Sequence, residues 1–291
     1  MLSTLDFGII ILFLAGISAY GIYNSRFNKT SEDYFLAGRD LPWWAAMLSI
    51  VATETSVLTF ISIPGLAYRD SWFFLQLALG YILGRILVSI FLLPAYFKGG
   101  ITSIYEVLGE RFGKNIQKTA SAVFLLTRIL ADGIRFLATA VIVQVVTGWS
   151  LPVAVIVIGT VTVVYTLMGG IRTVVWVDSF QFVLYLGGGL VAVFYILAHS
   201  EASFSTMMGQ LNDAGKLDVV RWGWNLFSNP WLFFSAVFGG MLLSFASHGA
   251  DYMMVQRVLS VRNLAGARKA MIGSGIFVFV QFAIFLLAGS L

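Results

Sequence analysis

Between its polar breaks this chain falls into apolar segments, each about as long as a bilayer's hydrocarbon core is deep. That core is about 30 Å thick and takes roughly 20 apolar residues of helix to cross. Eight segments qualify: 5–24, 43–67, 73–97, 118–146, 151–169, 176–198, 230–250 and 270–290. None shows the ten-residue alternation of a membrane barrel, so all eight are predicted as helices. A helix satisfies its own backbone polar groups where lipid offers no water. Composition agrees, with 59% hydrophobic and 11% charged residues against about 25% charged in soluble domains. The expected fold class is an all-α polytopic membrane protein, a single membrane domain over 1–291.

Several chemistries are excluded at once. The chain has no cysteine, so disulfides, iron–sulfur clusters and thiolate metal sites are impossible. HExxH, GxSxG and phosphate-binding loop motifs are absent, and His199 and His248 make no metal site, so no enzyme is expected. The first apolar run follows Asp6 with no Lys or Arg before it, a poor signal peptide and a better retained helix. The net charge of +4 resides in short loops and reads as topology rather than as a nucleic-acid surface.

Those loops orient the helices. Alternate loops carry Arg26, Lys29 and Arg39, then Lys98, Arg111, Lys114 and Lys118, then Arg172, then Arg257, Arg262, Arg268 and Lys269. The opposite loops carry Arg69, Lys216 and Arg221. The positive-inside rule places the first set in the cytoplasm and both ends of the chain outside. Residues 99–117 are predicted to form an interfacial helix, and 199–229 an external loop with some helix and two anchoring tryptophans (Trp222, Trp224). Gly80 and Gly84 have the spacing of close helix packing.

Within the helices, polar residues mark places that lipid would reject. A mid-membrane charge costs about 2.5–3.5 kcal/mol on insertion scales. The segment MLSIVATETSVLTFISIPGLAY (47–68) carries Glu54, the hydroxyls of Thr53, Thr55, Ser56 and Thr59, and a Pro64-Gly65 pair expected to break the helix. Glu54 is either paired with a buried arginine or hydroxyls, or it faces an ion. The oxygen-rich surroundings favour a hard cation, bound through carbonyls such as those of Ala52 and Thr55. Asp178 is either an acid solvated at the helix end or part of the same polar system, continued by Gln181. Ser244, Ser247 and His248 form a stripe expected to line a cavity, with Gly249 able to unwind the helix. Asp251 is expected to be a solvated helix end. Arg128, Asp132 and Arg135 form an i, i+4, i+7 charge group that reads as structural.

Three stretches, SEDYFLAGRDLPWW (31–44), YTLMGGIRTVVWVDSFQ (165–181) and MMVQRVLSVRN (253–263), resemble the solute:sodium symporter family. Its members carry sugars, proline, sialic acid, iodide, vitamins or monocarboxylates. The resemblance implies an inverted-repeat, five-plus-five transporter fold after one extra N-terminal helix. The first repeat would be complete and the second truncated. The family's members are longer, so this chain is expected to be an N-terminal fragment, lacking the later helix whose serines face Ala52. The segments 43–67 and 230–250 would be the two broken helices.

By the same resemblance, the carbonyls of Ala52 and Thr55 would bind sodium. Glu54 stands where proline carriers have an essential acid, and Asp178 would serve a second sodium or a proton route. Ser56 and Thr59, with Ser244, Ser247 and His248, would border the solute. Leu58, Thr59 and Val278 depart from the sugar-carrier pattern. The function implied is sodium-driven symport of a small organic solute by alternating access across the plasma membrane, the inner one in a Gram-negative source. A proton-coupled carrier, or a channel or non-transporting scaffold, are the alternatives. Sodium, solute and lipid bilayer are the expected partners; nucleic acid is not, and the oligomeric state is left open.

Overall fold

The computed structural model describes residues 2–98, 100–224 and 229–291. Residues 225–228 of the expected external loop, and Gly99, lie outside the described residues. Among the described residues the chain is helical, with one isolated bridge between Leu41 and Val261 in place of any sheet.

Helix α1 (Thr4–Asn24) starts at a Ser3–Asp6 capping box and leads to the short α2 (Ser31–Leu36), itself capped by Thr30 and Asp33. Helices α3 (Trp43–Glu54) and α4 (Val57–Arg69) are two halves of one span, bent by 69°. Helix α5 (Phe74–Leu87) continues through a wide π turn at Val88–Leu92 into α6 (Leu93–Lys98). A short helix, α7 (Ile104–Phe112), lies within 99–117, and α8 (Lys114–Thr147) follows it.

Helix α9 (Leu151–His199) has 49 residues, or ~73 Å at 1.5 Å per residue, more than twice the hydrocarbon depth. It is divided at Gly170, whose φ of 61° and ψ of −167° only glycine adopts readily. A Cβ there would also come within 2.8 Å of the Tyr34 carbonyl oxygen. The two expected helices are therefore present, but the second starts directly after Gly170 instead of at 176. Arg172, read from sequence as a loop charge, sits on its first turn and donates to the Ala37 carbonyl at 2.9 Å.

After α10 (Phe204–Asp213) come α11 (Phe233–Gly249) and α12 (Tyr252–Leu259), a second bent pair at 66°, and then α13 (Leu264–Ser290). Among the described residues five helices are long and apolar enough to cross a membrane, or seven with each bent pair as one span, and the division of α9 at Gly170 adds an eighth. The broken spans are the second and the seventh, five apart, as an inverted repeat after one extra helix requires.

The most extensive helix contact is between α5 and α11. A Cβ on Gly80 would fall 2.2 Å from the Val237 carbonyl oxygen, and one on Gly84 2.4 Å from that of Met241. Small residues let these backbones touch where lipid supplies no hydrophobic drive. The connections sort into two sets by their contacts. In one set Arg39 donates to the carbonyls of Gly100 and Ile101, Gln256 to that of Phe35, and Arg262 pairs with Asp40. In the other, Lys216 donates to the Tyr68 carbonyl and the Arg221 N–H to Gln76.

Candidate functional site

The first helix break lies at Thr55–Ser56, not at Pro64–Gly65. Pro64 sits inside α4, and Gly289 of α13 packs so closely on it that a Cβ would overlap its carbonyl. The break comes from capping. Thr55 is extended, with φ −92° and ψ 109°. Ser56 and Thr59 close a capping box in which the Ser56 N–H donates to Thr59 Oγ1 at 3.3 Å. In a continuous helix that N–H would bond the Ala52 carbonyl. Its diversion leaves the last carbonyls of α3 without helical partners, at the negative end of the helix dipole.

Ala52, Thr53, Thr55 and Ser56 line an open cavity of about 680 Å³, together with Phe13, Phe60, Arg135, Thr139, Gln181 and Tyr185, among others. Tyr185 fixes the break by donating to the Ser56 carbonyl at 2.6 Å, and Thr55 Oγ1 lies 3.4 Å from Gln281 Oε1. The wall is therefore carbonyl- and hydroxyl-bearing on one side and aromatic on the other. These oxygens suit a hard cation and give a soft metal nothing to bind.

The second break is closed upon itself. Tyr96 donates to the Gly249 carbonyl at 2.6 Å and Tyr105 to that of Ala250 at 3.3 Å. Asp251 caps α12 by accepting from the N–H groups of Met253 and Met254, and pairs with Arg128 at 3.0 Å. Asp251 is thus a half-buried helix cap with an ion-pair partner rather than the freely solvated helix end expected of it. Arg128 also holds Asp132 at 2.7 Å, the structural group expected. Arg135 completes that group with a looser pair to Asp132 at 4.0 Å, and it also lines the cavity.

The remaining site residues divide between two polar clusters. Glu54 is not part of the cavity wall. Its carboxylate pairs with Arg85 of α5, a fully buried side chain. Arg85 Nη1 donates to Ser274 of α13 at 2.8 Å. His248 Nε2 lies 3.8 Å from the same carboxylate, and Ser247 hydrogen-bonds His248 Nδ1 at 2.9 Å. Ser244 donates to the Tyr81 carbonyl at 3.0 Å. The α11 stripe thus meets α5 and Glu54, not the cavity of Ala52 and Thr55, which corrects its expected cavity-lining place. Thr59 spends its hydroxyl on the helix cap.

The second cluster centres on Asp178, whose Oδ2 accepts from Ser49 at 2.6 Å, Thr53 at 3.3 Å and Arg257 at 3.0 Å. Arg257 also donates to Ser49 at 2.8 Å and to the Met253 carbonyl at 2.7 Å. Asp178 is hence not a solvated interface acid. It ties α3, α9 and α12 together, and with Thr53, Tyr165, Gln256 and Arg257 it lines a second cavity of about 480 Å³. Thr53 belongs to both cavity walls. Sequence reasoning missed Ser49, Arg85, Arg257 and Ser274. Two of them were legible in principle, because an acid and an arginine inside lipid must find each other.

The chain can now be set beside known proteins. The sodium:solute symporter family matches over residues 34–290. The sodium/sialic acid symporter NanT of Aliivibrio fischeri is 30% identical, over 92% of this chain and 53% of the relative. SiaT of Proteus mirabilis is 30% identical over 98% of this chain and 58% of its own length. Human sodium-coupled monocarboxylate transporter 1 is 29% identical over 88% and 42%. The solved structure of a substrate-bound, outward-open Na+-coupled sialic acid symporter matches with a TM-score of 0.88 at 28% identity, over 99% of this chain and 60% of that one. The chain spans about half the length of the curated relatives it matches. With a family match over most of its residues and a shared arrangement of helices, this chain belongs to the sodium:solute symporter family.

Proposed function

We propose that the chain forms the sodium-binding part of a secondary transporter that carries a small organic solute together with sodium by alternating access. The observation that supports this most is the break at Thr55–Ser56, which leaves the Ala52 carbonyl without its helical partner beside a large cavity. The carbonyls of Ala52 and Thr55 bind sodium on this reading. Ser56 borders the solute, with Thr59 holding the break in shape.

Asp178 is the acid of a second sodium or a proton route. Among the described residues its Oδ1 accepts no hydrogen bond, while Oδ2 is taken three times. Ser247 is the member of the α11 stripe left half-buried beside the Glu54 cluster, with Ser244 and His248 buried on either side of it in sequence. Relatives named for sialic acid and for monocarboxylates support an organic acid as the solute. The alternation of loop charge along the sequence supports a multi-pass protein of the plasma membrane with both ends of this chain extracytoplasmic.

The test is a screen in proteoliposomes bearing the complete gene product. Labelled sialic acid, short monocarboxylates and iodide are offered with external sodium or with choline. Uptake of at least one that needs sodium supports the reading. Sodium-independent flux far above carrier rates identifies a channel instead.

A further inference from the structure

The cluster around Glu54 is built differently from the cavity at Ala52 and Thr55, although one turn of helix contains both. Glu54 is absent from the cavity wall that holds Ala52, Thr53, Thr55 and Ser56. Its carboxylate instead faces two nitrogen-bearing side chains from other helices. Arg85 on α5 is fully buried, and His248 on α11 is buried with its Nε2 3.8 Å away. The guanidinium is anchored a second time by Ser274 on α13. Arg85 is thereby held at the end of Glu54 by a helix that does not belong to either broken span.

We infer that Arg85 is a tethered counter-cation: it occupies the place beside Glu54 that a coupling cation would take, so Glu54 is a positioning residue and not a sodium ligand. A carboxylate attracts one sodium best when no other positive charge neutralises it. Here a permanent charge is already at hydrogen-bond contact, and arginine does not give up its proton in proteins. A second cation at the same oxygens would meet the guanidinium at close range in a low dielectric, which repels it. Glu54 then does mechanical work. It fixes the C-terminal turn of α3 against α5, α11 and α13, and so holds open the carbonyls of that turn. Sodium specificity on this account rests with the uncharged oxygens of the break, and with Asp178 where an acid is required.

The inference rests on the sodium-binding reading above, and its test separates the two. Purified protein in detergent is titrated with sodium against choline at constant ionic strength. Two quantities are read: the unfolding temperature without sodium, and the sodium concentration giving half of the sodium-induced rise in that temperature. Glu54→Gln and Arg85→Met each lower the temperature, by leaving a buried partner unpaired. The Glu54→Gln/Arg85→Met double variant recovers most of that loss, and its half-rise concentration stays within about threefold of the wild type. Glu54→Asp, which folds most readily and moves the carboxylate by one methylene, also stays within that range. A shift of about tenfold or more in either variant makes Glu54 a ligand and overturns the inference. So does a double variant no more stable than Glu54→Gln alone. A wild-type protein that ignores sodium sinks the sodium reading instead, and the temperature comparison then decides the role of the pair by itself.

Discussion

Arg257 donates to Asp178 at 3.0 Å, joining the second half of one broken span to the helix behind the first half of the other. Both side chains are largely buried, at 4% and 13% exposure, and Ser49 bonds both partners. Removing one partner of a buried pair strands the other charge, at a cost of about 3–5 kcal/mol. Arg257→Met is therefore expected to lower the unfolding temperature sharply. The Arg257→Met/Asp178→Asn double variant should lose less than the single one. Equal losses in both would mean that the pair does not hold these helices.

The glycines of the α5–α11 contact give a packing prediction. Gly80→Ala and Gly84→Ala would press a methyl group into backbone at 2.2 Å and 2.4 Å, an overpacking that costs about 1–3 kcal/mol. Gly16 on α1 has nothing within 4 Å of its Cβ position. Gly16→Ala should be neutral or stabilising, because glycine is the poorer helix former by about 0.5–1 kcal/mol. Thermal unfolding of the three variants side by side checks this, and equal behaviour of all three would refute it.

Thr55 separates side chain from backbone at the proposed sodium site. If its carbonyl is the ligand, Thr55→Val keeps the ligand and loses only the long contact with Gln281 at 3.4 Å. The sodium concentration for half-maximal effect should then change by less than about threefold. A loss of sodium response in folded Thr55→Val would place the ligand on the hydroxyl.

Asp178 should behave unlike Glu54. Asp178→Ala in the complete gene product is expected to alter the sodium dependence of uptake, because the acid lines a cavity and, among the described residues, its Oδ1 accepts no hydrogen bond. Uptake measured over a range of sodium concentrations decides it, and an unchanged dependence would leave Asp178 a purely structural anchor.

The helical fold was legible in the sequence because lipid enforces it: segments that cross a membrane must be long, apolar and helical. The location of the first break was not. Pro64 carries the stronger signal on paper, yet a proline is accommodated where Gly289 packs on it, and the break falls where Ser56 and Thr59 cap a new helix. Helix α12 escaped notice because eight residues with Gln256 and Arg257 among them are too short and too polar to read as part of a span. Arg257 was counted as a loop charge for the same reason. Glu54 was recognised as out of place in lipid, but its partner lies 31 residues on, and periodicity within one helix says nothing about what faces it from another. The stripe Ser244, Ser247 and His248 runs along α11. Which neighbour it meets depends on the approach of α5 through Gly80 and Gly84, a tertiary fact.

The energetics of uptake test the central claim most directly. Proteoliposomes bearing the complete gene product are given a sodium gradient with no proton gradient and with the membrane potential clamped at zero. The account predicts that a carried solute accumulates above its outside concentration, in proportion to the sodium ratio, and flows out when the sodium gradient is reversed. Accumulation that follows an imposed proton gradient and ignores sodium would contradict it, as would simple equilibration of the solute under every gradient.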